Sequence, residues 1–543
     1  MHLWGRDAKI AAMGCTRRQK QTIQSVFLYV KTTCSIKKRI QPVVFLYHSA
    51  VSSKGFCWFR QGAFFAIVLT NKPLLPIIRK ETPFYANGRK PNVITARRGL
   101  FPHSGQNLFI EIKWLLSEAG KVVSMAEIAP LRALRYTAKA GSLENLVCPP
   151  YDVLAPGDRE TYLARSPYNS MHLEVPDSYP QAADLLNAWT EQGILKRDPA
   201  PAMFIYEQEF SVRGETLRNK LLLCRMRLSD FSENAVLPHE NTLDAAKRDR
   251  FQLMQATGCN ISPVYGLYED PKRETRERIE RLSMDTPRYT CTLDGVTHRL
   301  WVVNDRVVLG ALCEDFRDRR IYIADGHHRY ETALHFRNWR REQGLPGGEF
   351  ILTGLADLHS AGLAVLPIHR LVHGLEHFDE AALLKQCEAY FQVYEMDTPP
   401  EYIETNMDAL HRQAKKAFAY YSGGKTWHLL LLKDETLMDR LCPEQSPATR
   451  NLNVSLLHKV ILEGMLGIGA ESLAKQENLT YTRHFSEALA SARSGESQCV
   501  FFVNPARVKE IREVADAGET MPQKSTWFYP KLLTGLAFHP LDE

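Results

Sequence analysis

Apolar and polar positions alternate with two different periods along this chain, and from residue 125 onward the two periods trade places repeatedly. "MFIYEQEFSV" (203–212) and "TLRNKLLLCRMRL" (216–228) predict two strands of a hairpin closed around "RGE". "DAAKRDRFQLMQATG" (244–258) predicts a helix, with apolar residues at helical spacing at Ala245, Phe251, Leu253 and Met254, and Gly258 stops it. "SPVYGLYED" predicts a strand, "RETRERIERLSM" a charged helix, and "CTLDGVTHRLWVVND" a second hairpin with Asp294-Gly295 in its turn. A strand over 321–324 and a helix from about 328 follow, then one further strand over "GLAVLPIHRLV" (362–372). Beyond it, "FDEAALLKQCEAYF", "NLNVSLLHKVILEGMLG" and "RVKEIREVADAGE" predict helices. "KAFAYYSGGKTWHLLLLK" predicts a hairpin turning at Gly-Gly, and "SQCVFFVNP" a strand. There is no internal repeat and no low-complexity tract. The expected fold class is α/β, with mixed sheets of the α+β kind.

Charge divides the chain in two. Residues 1–124 hold 20 Lys+Arg against 4 Asp+Glu, out of 68 and 62 in the whole chain, which leaves 48 against 58 for the rest. The net charge of +6 therefore hides an acidic main body, which makes a nucleic-acid partner an unfavoured expectation. Basic clusters ("TRRQK", "SIKKRI", "TARRGL") and short aromatic runs mark 1–124 as a basic, ill-ordered extension, with the working protein starting near Met125. A basic arm for membrane or RNA, or a small domain, are the other readings. The longest apolar run there, "GAFFAIVLT" (62–70), is too short to cross a bilayer, and no secretory leader is expected. The 11 cysteines are scattered, and none stands in a C-x-x-C pair, so reduced thiols and a cytoplasmic setting are expected.

The stretch "IYIADGHHRYETALHF" (321–336) carries the chemistry: an apolar strand, a tight turn and a helix start. A helix N-terminus has amides without intrahelical partners and a partial positive charge, so it favours anions. Gly326 lets the backbone approach a ligand, and Arg329 with His327 and His328 adds donors suited to phosphate oxygens. Asp325 is placed to cap the helix, or to reach a metal or a substrate amine. An ordinary Asp-Gly helix start with structural histidines is the alternative. No Walker loop is present.

"DGHHRYETA" resembles the phosphate-binding box of the ParB/sulfiredoxin superfamily. The chain from about 128 to 536 resembles the domain-of-unknown-function 1015 family, through "VCPPYDVL", "SPYN", "VLPHENT", "KRDR", "ATGCNISPVYGLY", "ADGHHRYETA", "VLPIHRLV" and "KSTWFYPKLLTGL". That resemblance implies a ParB/sulfiredoxin-like core with large insertions over 125–372 and a C-terminal α/β domain over 373–543. Sulfiredoxins need a cysteine where this chain has His327, and ParB proteins a helix-turn-helix not evident here. Free-serine kinases are the nearer likeness: Asp-Gly-His-His-Arg, an upstream Pro-His-Glu met by Pro238, His239 and Glu240, and a late Lys-Thr-Thr partly met by Lys524, Ser525 and Thr526. About 85 residues separate Glu240 from Asp325, so an insertion over 244–320 is implied.

The resemblance implies a phosphotransferase for a small hydroxylated metabolite, free serine or phosphoserine first, running in either direction. Glu240, Asp325 and His328 would be catalytic, with Glu240 the base. Gly326, His327, His328, Arg329, Lys247 and Arg250 would bind phosphate or nucleotide. His239, His369, Arg370, Lys524, Ser525 and Thr526 would bind substrate, the last three through its phosphate or carboxylate. Mg²⁺ would come with a donor, ATP, ADP or pyrophosphate, using few protein ligands. A non-catalytic, nucleotide-binding, ParB-like regulatory protein is the alternative. Several of these residues have plainer readings. Lys247 and Arg250 fit a solvated helix face, and Glu240 a loop acid. His369 and Arg370 end a strand with equal claim to the site or the core. Asp152 is a turn acid or a site residue, and Cys259 a buried thiol. The partner expected is a small molecule, without a membrane.

Overall fold

The computed structural model describes residues 125–242, 244–469, 472 and 477–542, together with two short strands, Phe65–Val68 and Asn92–Thr95. The chain divides into two units, Met1–Ser117 and Glu118–Glu543. In the first, Phe65–Val68 pairs in parallel with Asn92–Thr95. The ill-ordered character expected of 1–124 otherwise lies outside the described residues.

The second unit is mixed α/β. Its larger sheet contains β1 (Ile128–Ala129), β2 (Met203–Val212), β3 (Glu215–Arg227), β4 (Val236–Leu237), β5 (Val264–Tyr268), β6 (Tyr289–Leu293), β7 (Val296–Val303), β8 (Ile321–Asp325) and β9 (Phe350–Asp357). Its order is β6-β7-β2-β3-β9-β5-β8-β4, with β1 also pairing β3. The two predicted hairpins, β2–β3 and β6–β7, thus lie side by side in one sheet.

Both faces of this sheet are covered. On β8, Tyr322 and Ala324 face one buried cluster with Leu532, Leu533 and Phe528. Ile321 and Ile323 face another, where Tyr330, Ala333 and Phe336 of helix α2 (His327–Glu342) pack. A strand buried on both sides reads as a continuous apolar run, which is how "IYIA" reads. Helix α1 (Asp244–Thr257) packs against α2 through Phe251, Phe336 and Trp339.

On β5, the third strand from the β4 edge, Gly266 has neighbours from the strands on both sides. A Cβ there would stand 2.7 Å from Ile321 Cγ2 and 2.8 Å from Leu355 Cδ2. Gly266→Ala is therefore expected to cost about 1–3 kcal/mol through overpacking. A lower urea midpoint at unchanged slope would show it, and an unchanged midpoint would refute it.

The second sheet has six strands: β10 (His369–Val372), β11 (Phe391–Met396), β12 (Ala417–Tyr421), β13 (Trp427–Leu432), β14 (Leu479–Thr482) and β15 (Cys499–Phe502), ordered β11-β13-β12-β15-β10-β14. The single strand expected over 362–372 is in fact two. Ala364–Leu366 pairs with Trp527–Tyr529, and β10 enters the six-stranded sheet. Pro367 lies at the break; it has no N–H to continue a ladder. Helices Tyr179–Glu191 and Arg306–Asp315 also form, where the sequence pattern predicted nothing.

Candidate functional site

β4 and β8 are parallel neighbours, with Val236 opposite Ile321 and Leu237 opposite Tyr322. Parallel neighbours end on the same edge of a sheet. The segment leaving β4, Pro238–Glu240, therefore emerges beside the turn leaving β8, Asp325–Arg329. The 84 residues between them, 241–324, include the intervening strands and helices and return the chain to that edge.

Gly326 starts α2 with φ +90°, a left-handed conformation that favours glycine. A Cβ there would also stand 3.0 Å from the Arg329 guanidinium, which is folded beneath the turn. Arg329, 7% exposed, bonds Asp325 Oδ2 at 2.7 Å and Asp152 Oδ2 at 3.3 Å, and donates to the Pro263 carbonyl. Lys531 Nζ takes the other Asp325 oxygen. Burial alone would push the Asp325 carboxyl up. Lys531 and Arg329 outweigh it and hold the group well below the usual carboxylate range. Arg329 is thus a buried brace rather than a donor presented to solvent. What the turn offers an anion is the first-turn amides of α2.

The two adjacent histidines divide their work. His327 is buried, and its Nε2 accepts the backbone N–H of His239 at 3.3 Å, which leaves the ring proton on Nδ1. The two rings meet edge to face at 4.7 Å. His328 is half-buried and faces Asp152, Glu331, Glu240 and Lys524; burial lowers its pKa. The pair thus faces two sets of charges: His327 lies near Asp325 and Lys531, and His328 near Asp152, Glu331, Glu240 and Lys524.

Glu240 ends a hydrogen-bond relay. Thr526 Oγ1 donates to Glu240 Oε1 at 3.0 Å, so its lone pair accepts from His239 Nε2 at 3.0 Å. His239 is fully buried and pushed down to about 4, so it stays neutral. Burial pushes the Glu240 carboxyl up, against the Thr526 bond and the charges of Lys531 and Lys524. A carboxylate raised in this way is suited to accept a proton. The 521–526 segment is fixed by a bridge between Glu240 and Met521, where Met521 N donates to the His239 carbonyl at 2.8 Å. Ser525 Oγ donates to the Pro522 carbonyl, and Lys524 is exposed with φ +56°.

The remaining predicted residues lie further out. Lys247 reaches α2 by pairing with Glu331 at 3.1 Å and also meets Asp244. Arg250 is buried, stacks on the Tyr151 ring at 4.2 Å and donates to the Glu174 carbonyl at 2.7 Å, so it supports the site from behind. Arg370, fully buried, donates to the Lys524 carbonyl at 3.1 Å and holds that loop. His369 points the other way. Side chains alternate along β10, which sets His369 against Phe502 at 4.9 Å and Phe485, with its Nδ1 accepting from Val503 N at 3.4 Å. Burial pushes it down to about 3, and the structure does not bring it to the turn.

Sequence reasoning did not assign Lys531 or Glu174. Lys531 lies in the motif "KSTWFYPKLLTGL", seven residues past Lys524, but nothing in its spacing signals Asp325. Glu174 is fully buried. Its Oε1 accepts from Tyr151 N and Ser262 Oγ, both at 3.0 Å, and so steadies the loop carrying Asp152.

The relay gives a pH prediction. Thr526→Val removes the bond that lowers the Glu240 pKa, so that pKa rises further. A base is lost as pH falls through its pKa. The acid limb of any Glu240-dependent activity should therefore move to higher pH in the variant, while an unmoved limb would separate Glu240 from that activity.

No curated protein matches the chain. Among solved structures, a conserved hypothetical protein from Pyrococcus furiosus is similar at 16% identity, over 55% of this chain and 88% of its own, with a TM-score of 0.27. A free serine kinase in complex with AMP is similar at 14% identity, over 54% and 83%, with a TM-score of 0.28. SbnI with a C-terminal truncation, from Staphylococcus aureus, is similar at 14% identity, over 56% and 84%, with a TM-score of 0.27. The family model described as "Protein of unknown function (DUF1015)" matches residues 128–455, from β1 through the larger sheet and into the second. By that match over more than half of its length, the chain belongs to the DUF1015 family.

Proposed function

We propose that this protein is a phosphotransferase that moves a phosphoryl group between a nucleotide or pyrophosphate and a small hydroxylated metabolite, free serine first among them. One observation carries the reading: β4 and β8 end side by side, so the raised carboxyl of Glu240 stands at the same edge as a glycine-opened helix N-terminus. Phosphoryl transfer requires an acceptor oxygen, a base for its proton and neutralisation of the transferred charge. Glu240 takes the hydroxyl proton, held in orientation by Thr526 and His239. The first-turn amides of α2, with His328 and Lys524 near, bind the phosphate oxygens. The acceptor oxygen forms a bond to phosphorus as the bond from phosphorus to the donor's bridging oxygen breaks.

Among the described residues, no group of three or more His, Cys, Asp and Glu side chains is placed to hold a metal, and both Asp325 oxygens are engaged. These residues do not fit a resident ion. Magnesium enters only as part of the donor substrate, bound to its phosphates. Among the described residues, no helix is long and apolar enough to cross a membrane.

The test incubates the full chain with L-serine and, in turn, Mg-ATP, Mg-ADP and pyrophosphate, and measures phosphoserine. Product with at least one donor is expected. Nucleotide binding without turnover would favour a regulatory nucleotide switch, and release of inorganic phosphate from phosphoserine alone would favour a phosphatase.

A further inference from the structure

Two hydrogen-bond donors at the edge of this site lack acceptors. Arg483, just past β14, is half-buried, with its guanidinium carbon 4.3 Å from the centre of the Trp527 ring. Among the described residues no carboxylate pairs with it. Glu487 and Asp158 act on it only from a distance, and both are engaged, with Thr482 Oγ1 at 2.6 Å and Ala155 N at 2.8 Å. The Trp527 indole Nε1 is buried, also without a partner among the described residues. A third donor, Lys531 Nζ, lies 4.3 Å from the same ring but is committed to Asp325.

A buried donor without an acceptor is costly, roughly 1–3 kcal/mol, and this applies to the indole Nε1, while the half-buried Arg483 guanidinium keeps contact with solvent. With the guanidinium fork over the ring face and the N–H at the edge of the same ring, the complementary group is one that only accepts and has two oxygens, which describes a carboxylate. The position matters as much as the chemistry. Trp527 follows Thr526, whose hydroxyl is already given to Glu240, while the Ser525 hydroxyl is given to Pro522. The neighbouring hydroxyls are thus spent, and Arg483 and the indole are not.

We propose that Arg483 and the Trp527 N–H form the receptor for the carboxylate of a hydroxylated amino-acid substrate, which directs its hydroxyl toward Glu240. This rests on the phosphotransferase reading. The test compares L-serine with serinamide, which lacks the carboxylate, in the full chain with whichever donor supports turnover. The wild type should prefer L-serine. Arg483→Gln should raise the KM for L-serine about 10- to 100-fold, bring the two acceptors close to parity and leave nucleotide affinity unchanged. Arg483→Lys should fall between, and Trp527→Phe, which keeps a ring but not the donor, should lose less. An unchanged KM in Arg483→Gln overturns the proposal. So does a fall in nucleotide affinity with acceptor preference intact, which would make the donor phosphate the anion. If the wild type makes no phosphoserine, the phosphotransferase reading fails by itself. The receptor then stands if L-serine, but not serinamide, raises the Tm of the wild type and not of Arg483→Gln; any other pattern overturns it.

Discussion

Glu240→Gln is expected to abolish phosphoserine formation while leaving nucleotide bound. The substitution keeps shape and an oxygen to accept from Thr526, so the relay to His239 remains. What it removes is a carboxylate that burial has made a better proton acceptor. A positioned general base contributes about 10²- to 10⁴-fold, and a loss of that size in kcat is expected. The donor cradle belongs to another element, the start of α2, so the nucleotide Kd should stay within about twofold of the wild type. Turnover and calorimetric binding measured on the same preparations decide it. Full turnover without the carboxylate would remove Glu240 from the chemistry. Loss of both would show instead that the turn depends on it.

Arg329→Met should be the most damaging single change to stability near the site. It deprives Asp325 and Asp152 of a cation and the Pro263 carbonyl of a donor, all around a nearly buried group. Breaking a buried pair from one side costs roughly 3–5 kcal/mol, because the other charge stays behind. Lys531 still holds Asp325, which favours the lower end. The pH dependence has a definite sign. Asp325 is held well below its usual range in the folded protein. That contribution is complete above the unfolded pKa, about 3.9, and is lost as pH falls toward the folded value. The variant has less of it to lose. The gap between wild type and Arg329→Met should be widest at neutral pH and narrow below about pH 4. Urea unfolding at both ends of that range measures it, and a gap that widens on acidification would contradict the assignment.

The local code of this chain was legible because it is local. Glycine at 326, the apolar run before it and the helical spacing after it define strand, turn and helix start within 16 residues. Hairpins β2–β3 and β6–β7 were legible for the same reason. The break at Pro367 was missed, although proline's missing N–H is itself a local signal. The division of labour between His327 and His328 was not legible. Adjacent helical residues point about 100° apart, and only the packed neighbours say which one faces inward. His369 and Arg370 show the same limit on a strand, where alternation sends one ring into Phe502 and one guanidinium to the Lys524 carbonyl.

By itself, the sequence determined most of the elements, the mixed α/β class and the glycine turn, since each rests on bonds and sterics among residues close along the chain. The tertiary structure alone decided that Glu240 stands beside that turn, that Arg329 is spent on Asp325 and Asp152, and that Lys531 and Trp527 come from 200 residues further on to complete the edge. Parallel strand order and side-chain packing set those relations, and neither has a signature in residue spacing.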